Sequence, residues 1–330
     1  QGLGVIGIVV LFVALLSELG PGARFLFKLE VPGPKAEILD DRVQDTALAL
    51  GRIYLVLSAV LVIVLLLCGL SLFDALTHSF STISTGGFSP HNASVGHFAP
   101  HVQFVIMIFM LMAGVSFSIY LSSFRLRTWA AFRERELQVY LVLFALATLL
   151  ISIDLGPLAH ESAGRRILDA AFQVVSIMTT TGFGTVDFAG WPTTSQAILV
   201  ALMVVGGCAG STSCSIKIFR YQLLFASIRA QLRRIRSPHG IFTPRYDGRP
   251  VGTDVLSSVM SFFMFFVVTL GLVAVALSLT GLDFVTSISG AAAALANIGP
   301  GLGDIIGPTG NYGSLNDAAK WILSIAMFIG

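Results

Sequence analysis

Three short stretches hold the residue types that could do chemistry in this chain. They are Ser84-Thr85-Gly86-Gly87-Phe88-Ser89, Thr179-Thr180-Thr181-Gly182-Phe183-Gly184-Thr185 and Asn297-Ile298-Gly299-Pro300-Gly301. Each mixes glycine with small hydroxyl or amide side chains, and none contains an acid or a base. Such stretches suit a dehydrated alkali cation the size of potassium, which exchanges its water shell for numerous, neutral, fixed oxygens. Rings of backbone carbonyls supply these. Backbone that turns its carbonyls toward one path needs torsions that side chains resist, hence glycine at Gly86, Gly182 and Gly299. The carbonyls expected to coordinate are those of Thr85, Gly86, Thr181, Gly182, Ile298 and Gly299. Ser84, Gly87, Thr180, Phe183, Asn297 and Pro300 complete the three filter-like segments. Without carboxylates, the stretches do not suit a divalent ion held by acidic rings.

The elements that must position these stretches repeat in a fixed order. A short helix precedes each one: Leu72–Ile83, Ile167–Met178 and Phe284–Leu295. Twelve residues rise roughly 18 Å, about half a membrane. The chain must therefore dip in and return through the glycine-containing stretch. Non-helical backbone at that depth survives only where protein or water satisfies it. Each short helix ends at its loop, so the negative end of its dipole, roughly half a charge, points toward the path and favours a cation. Asp74, Asp169 and Asp283 sit near the helix starts, where a carboxylate suits the positive end. Around each short helix lie an outward span and an inward span. Self-similarity in a fixed order is the mark of a repeat architecture.

Composition agrees. Of 330 residues, 55% are hydrophobic and 12% charged, against roughly 25% charged in soluble domains. Runs without Asp, Glu, Lys or Arg at 53–73, 102–124, 137–153, 193–216 and 255–282 reach or approach the roughly 20 residues needed to cross a bilayer. The fold class is thus an all-α, multi-pass membrane protein built from membrane–pore–membrane units around a pseudo-fourfold path, the first and last units incomplete. The expected divisions are 1–46 (an inner helix of an incomplete first unit and a cytoplasmic connector), 47–135 (second unit), 136–252 (third unit, with a broken inner helix) and 253–330 (fourth unit). Residues 1–19 read as the inner span of the first unit, and the pattern breaks off at Gly330; the chain reads as a fragment lacking both ends. Between Arg229 and Arg249 there are six arginines and one acid, Asp247, and Arg125, Arg127, Arg133 and Arg135 form a second basic group. The positive-inside rule puts both in the cytoplasm and residues 90–100 outside. The arginines sit in short loops between spans, which argues against nucleic-acid binding. Cys68, Cys208 and Cys214 form neither a CxxC pair nor a zinc spacing.

A fourth stretch lies within the run at 193–219: Gly206-Gly207-Cys208-Ala209-Gly210-Ser211-Thr212-Ser213-Cys214-Ser215. Ten consecutive small residues make a poor helix interior, since each glycine costs about 1 kcal/mol relative to alanine. Close helix packing also uses small residues, but clustered hydroxyls favour a break forming an intramembrane loop below the filter. Lys217, just beyond, is either a snorkelling anchor or part of a gate.

Ser84–Phe88, Thr180–Phe183, Asn297–Gly303, the Gly206–Thr212 run and Val31-Pro32-Gly33-Pro34 together resemble the TrkH/TrkG/KtrB family of bacterial potassium-uptake proteins. The likeness extends over the whole chain and is nearest to the TrkH branch. It implies four units around one pore in a single polypeptide, filter glycines at Gly86, Gly182 and Gly299, and a gate in the loop at Gly206–Ser215. It further implies a homodimer in the bacterial inner membrane. A cytosolic nucleotide-binding subunit of the TrkA or KtrA type would bind NAD(H), ATP or ADP, with no cofactor on this chain beyond the transported potassium. Three departures stand out. The first unit's filter is missing, the chain stops before the position of the family's pore-facing arginine, and Ser213-Cys214-Ser215 replaces glycines.

Two other classes compete. A sodium- or proton-coupled symporter would need a lone intramembrane acid with a basic partner, and the spans have none. An intramembrane enzyme would have Ser211, Cys208, Cys214 and His78 as its nucleophiles or bases, with no activating base beside the first three. The chain is expected not to be an enzyme.

Overall fold

A computed structural model describes residues 43–126, 133–156, 162–237, 240, 242–303, 305–308 and 310–330. The expected first inner span at 1–19 and the Val31–Pro34 breaker lie outside these residues.

Three helical hairpins follow one another. Helix α1 (Val43–Leu67) packs on α2 (Leu72–Ile83), α5 (Arg135–Asp154) on α6 (Ala163–Met178), and α9 (Thr253–Leu279) on α10 (Phe284–Leu295). Segments of α1, α5 and α9 are long and apolar enough to cross a bilayer. Side chains cap all three short helices at their N-termini. Ser71 accepts from Asp74 N, Ser162 from Arg165 N and Asp283 from Thr286 N. Such caps contribute about 1 kcal/mol each. They hold Asp74 and Asp283 ionised below the usual carboxylate range, Asp74 chiefly through the Ser71 hydroxyl and Asp283 through Thr286. The Ser162 cap starts α6 four residues before the expected Ile167. That places Asp169 in the second turn, where it pairs with Arg165 at 2.9 Å.

The returning spans differ more from expectation. The run at 102–124 is not one helix. It divides into α3 (Pro100–Ala113) and α4 (Phe117–Leu126), which meet at 86°. In the third unit, α7 (Thr193–Met203) and α8 (Ile218–Arg236) flank a non-helical stretch. The two breaks satisfy each other: Cys208 N donates to Gly114 O at 2.9 Å and Phe117 N to Gly210 O at 3.1 Å. Unsatisfied backbone inside a membrane costs several kcal/mol per group. The bend at Gly114 thus exists because the loop of another unit lies against it. A Cβ at Gly114 would stand 2.3 Å from the Tyr140 hydroxyl, so close packing allows only glycine there. The last helix, α11 (Asp317–Ile329), packs on α10. A two-stranded hairpin, β1 (Arg245–Tyr246) with β2 (Arg249–Pro250), follows α8.

Candidate cation path and the loop beneath it

The three short helices end in the same turn. After α2, Thr85 N donates to Thr82 O and Gly86 N to Ser81 O. After α6, Thr180 N donates to Ile177 O and Thr181 N to Ser176 O. After α10, Asn297 N donates to Ala294 O and Ile298 N to Ala293 O. This paired bonding is the Schellman motif, whose left-handed position is usually glycine. Here it is Thr85 (φ +52°), Thr180 (φ +56°) and Asn297 (φ +54°). Two residues on, Gly87, Gly182 and Gly299 also have positive φ, at +69°, +83° and +111°.

This alignment corrects the register of the first stretch. The partner of Gly182 and Gly299 is Gly87. Gly86, expected to need the left-handed torsion, is not among the positive-φ residues and corresponds to Thr181 and Ile298. In Gly-Gly the sequence pattern cannot separate the two; the hydrogen-bonded turn does.

The loops stand side by side. A Cβ on Gly87 would fall 1.8 Å from Thr181 O, and one on Gly182 would fall 1.9 Å from Ile298 O. Gly87 and Gly182 therefore each lie against the carbonyl preceding the glycine of the next loop. A Cβ on Gly299 meets no described atom within 4 Å. Equivalent serines hold the outgoing strands: Ser81 Oγ accepts from Phe88 N at 2.6 Å, and Ser176 Oγ donates to Phe183 O at 2.7 Å. The Phe183 side chain is fully buried, so it packs the loop from behind. The Tyr312 hydroxyl donates to Gly299 O.

Beneath these turns lies the stretch from Val204 to Lys217. It is closed on itself by Gly206 N donating to Ile216 O at 2.9 Å and Ile218 N to Gly207 O at 3.2 Å. It is also bound to the turns. Thr85 Oγ1 donates to Thr212 O at 2.9 Å, Thr212 Oγ1 to Ile83 O at 3.0 Å, and Cys214 N donates to Thr180 Oγ1 at 2.7 Å. This explains threonine where glycine is cheaper. The left-handed torsion costs a residue with a side chain roughly 1–2 kcal/mol, and the hydroxyl that glycine lacks is what holds the loop. The third member, Asn297, instead reaches Met327 O of α11 at 3.3 Å.

Lys217 turns back into the loop rather than away from it. Its Nζ donates to Ser213 O, to Ser213 Oγ at 3.2 Å, and to Ser211 O and Oγ at 3.3 and 3.4 Å. Glu136, at the start of α5, is a residue the sequence does not single out. Its buried Oε1 accepts from Ala209 N at 2.7 Å and from Phe219 N at 3.2 Å. One carboxylate thus ties the front of the loop to the first turn of α8. An uncharged run beginning one residue after a glutamate is the only sequence sign of it.

Thr180→Val keeps the volume at this position but removes the acceptor for Cys214 N. Leaving that buried donor unpaired is expected to cost about 1–3 kcal/mol, read as a lowered melting temperature of the purified full-length protein. Thr180→Ser is expected to restore it. Equal melting of all three proteins would show that the hydroxyl does not hold the loop.

Comparison with known proteins places the geometry in a family. A family model for TrkH, described as a cation transport protein, matches residues 1–330. The chain is 38% identical to the Trk system potassium uptake protein TrkI of Halomonas elongata, over 100% of this chain and 67% of that protein. Against the Trk system potassium uptake protein TrkH of Escherichia coli K12, identity is 35%, over 100% of this chain and 68% of that protein. The crystal structure of the potassium transporter TrkH from Vibrio parahaemolyticus superposes with a TM-score of 0.83 at 32% identity. It covers 100% of this chain and 68% of that one.

Proposed function

This chain belongs to the TrkH family of cation transport proteins, and on that premise we propose that it conducts potassium along a path lined by its three repeated turns. Its function is potassium uptake of the Trk type, as a transporter and not an enzyme. The observation that carries the pore reading is the threefold recurrence of one turn, with Gly87 and Gly182 each set against the carbonyl preceding the glycine of the next loop. In this reading the oxygens that replace water around potassium come from the backbone at Gly86–Gly87, Thr181–Gly182 and Ile298–Gly299. The Thr85 carbonyl, expected from the sequence to take part, belongs to the position of Thr180 and Asn297. The short helices direct their negative ends to the same place, so a cation is favoured without a buried acid. Uptake is driven by the membrane potential, which supplies about 2.3 kcal/mol per 100 mV for each inward monovalent charge.

The loop at Gly206–Ser213 with Lys217 is the gate of this reading, because it lies under the turns and is hydrogen-bonded to two of them. The working unit is a homodimer in the bacterial inner membrane. It is controlled by a cytosolic nucleotide-binding subunit of the TrkA or KtrA type, and the nucleotide binds to that partner. The test is potassium-limited growth of an uptake-deficient bacterium that expresses the full-length protein. Rescue is the expected result, together with initial uptake that persists without sodium and after the pH difference alone is removed with the membrane potential held. Uptake lost on either treatment would mean an ion-coupled symporter. No rescue by a well-expressed protein would overturn the transport reading itself.

A further inference from the structure

Helices α5 and α8 and the β1–β2 hairpin enclose a groove of about 1030 Å³ that neither the turns nor the loop uses. Arg135 at the start of α5, Arg229 and Arg233 of α8 and Arg245 of the hairpin line it, with Asp247 as the one acid in its lining. The ion pairs Asp74–His91, Arg165–Asp169 and Lys320–Asp317 involve none of these arginines. The Oε1 atom of Gln222, also in the lining, is buried without a hydrogen-bond partner. Val139, Val142 and Leu146 of α5 and Phe225 of α8 supply apolar lining, and all four are 44–66% exposed. The same face of α5 continues through Leu149, Leu150 and Ile153, which are also exposed. The groove therefore opens sideways onto the surface of a helix long and apolar enough to cross a bilayer. Its arginines belong to the two basic groups that the positive-inside rule assigns to the cytoplasm.

A ligand that fits both kinds of lining carries a phosphate and a long hydrocarbon chain. The planar guanidinium fork matches phosphate oxygens in pairs, and basic pockets between membrane helices on the cytoplasmic side suit acidic headgroups. A free phosphate would leave the apolar wall unused. We propose that this groove binds an anionic glycerophospholipid of the cytoplasmic leaflet, with its phosphodiester among Arg135, Arg229, Arg233 and Arg245 and one acyl chain along Val139, Val142 and Leu146. The Gln222 amide oxygen and Asp247 are acceptors for headgroup hydroxyls, which favours a polyol headgroup such as glycerol over choline. The site rests on the membrane reading of α5 but not on the filter or gate assignments.

The experiment is native mass spectrometry of the full-length protein, titrated with phosphatidylglycerol and separately with phosphatidylcholine. The wild type is expected to retain phosphatidylglycerol preferentially. Because each basic residue near an acidic headgroup contributes roughly fivefold, the double variant Arg229→Gln/Arg233→Gln is expected to lose about thirtyfold in that affinity. Arg234→Gln/Arg236→Gln removes the same charge from the same helix outside the groove and is expected to stay within about twofold of the wild type. If the groove variant does not fold, Val142→Trp, which obstructs the acyl track and leaves every arginine in place, is the second test and is expected to weaken retention. Equal loss in both arginine pairs would reduce the effect to general surface charge and overturn the site. So would unchanged retention in the groove variant, or displacement of the lipid by millimolar inorganic phosphate. A wild-type dimer that holds no lipid but dissociates on Arg229→Gln/Arg233→Gln would assign the groove to a second copy of the chain instead. Gly182→Ser serves as a control that separates the readings, since it alters the filter and is expected to leave lipid retention intact.

Discussion

Replacing Gly182 by serine is expected to collapse the preference for potassium over sodium by tenfold or more while leaving the protein folded and in the membrane. Two costs act together. At φ +83° a residue with a side chain is strained by about 1–2 kcal/mol, and about 1.4 kcal/mol is a factor of ten. The larger effect is steric. The new Cβ would fall 1.9 Å from the carbonyl oxygen of Ile298, so the loops of the third and fourth units must separate. Selective coordination depends on how many carbonyls reach the ion and how they are held, and this separation removes the geometry at one point of the ring. The effect is graded by position. Gly87→Ser should match Gly182→Ser, because its Cβ would meet Thr181 O at 1.8 Å. Gly299→Ser should be milder, since only its torsion is strained. Gly86→Ala should be the mildest, its nearest contacts being Ser84 Oγ at 3.1 Å and the Phe88 ring at 3.4 Å. The measurement is rubidium uptake with sodium competition in cells carrying each full-length variant. A Gly86 variant more damaged than the Gly87 variant would reject the register, and intact selectivity in both Gly87→Ser and Gly182→Ser would reject the filter itself.

Freeing the loop below is expected to raise uptake rather than lower it. The loop is held by its own oxygens on Lys217, by Glu136 at Ala209 N, and by Thr85, Thr180 and Ile83 above it. Hydrogen bonds to a charged group contribute about 1.5–3 kcal/mol. Lys217→Met should therefore shift an open–closed balance by roughly tenfold or more toward open. Deleting several residues within 207–213 should do so more strongly, since it removes the attachments at Thr212 as well as part of the proposed gate itself. Initial rates of rubidium uptake, normalised to protein in the membrane, measure this. Reduced or unaltered flux in a well-folded deletion variant would contradict the gating role. A rise in the deletion variant with none in Lys217→Met would assign the holding to the threonines instead.

Much of this architecture was legible one segment at a time. Membrane-crossing runs announce themselves by length and lack of charge, and the half-length helices do so by stopping at Ile83, Met178 and Leu295 ahead of glycine-containing stretches. The small-residue run at 206–215 shows its break because nine of its ten residues, all but Ala209, are weak helix formers with no local reason to be helical. The bend at 114–116 was not legible. Met-Ala-Gly-Val-Ser-Phe continues a plausible apolar helix, and only the donors and acceptors of the distant loop at Cys208 and Gly210 make leaving the helix favourable. Glu136 was hidden for the same reason, its partners lying 73 and 83 residues away.

By itself the amino-acid sequence determined what depends on composition and neighbours along the chain: a bilayer environment, three dipping hairpins, a loop in mid-span and membership of a transport family. The tertiary structure alone decided which glycine of Gly86-Gly87 is the counterpart of Gly182, why threonine occupies a strained turn, and what ties the loop to the turns above it. The physical reason is that hydrophobicity and helix propensity add up locally. Buried backbone polar groups, in contrast, must find partners wherever the fold brings them, and that pairing exists only once the units stand against each other.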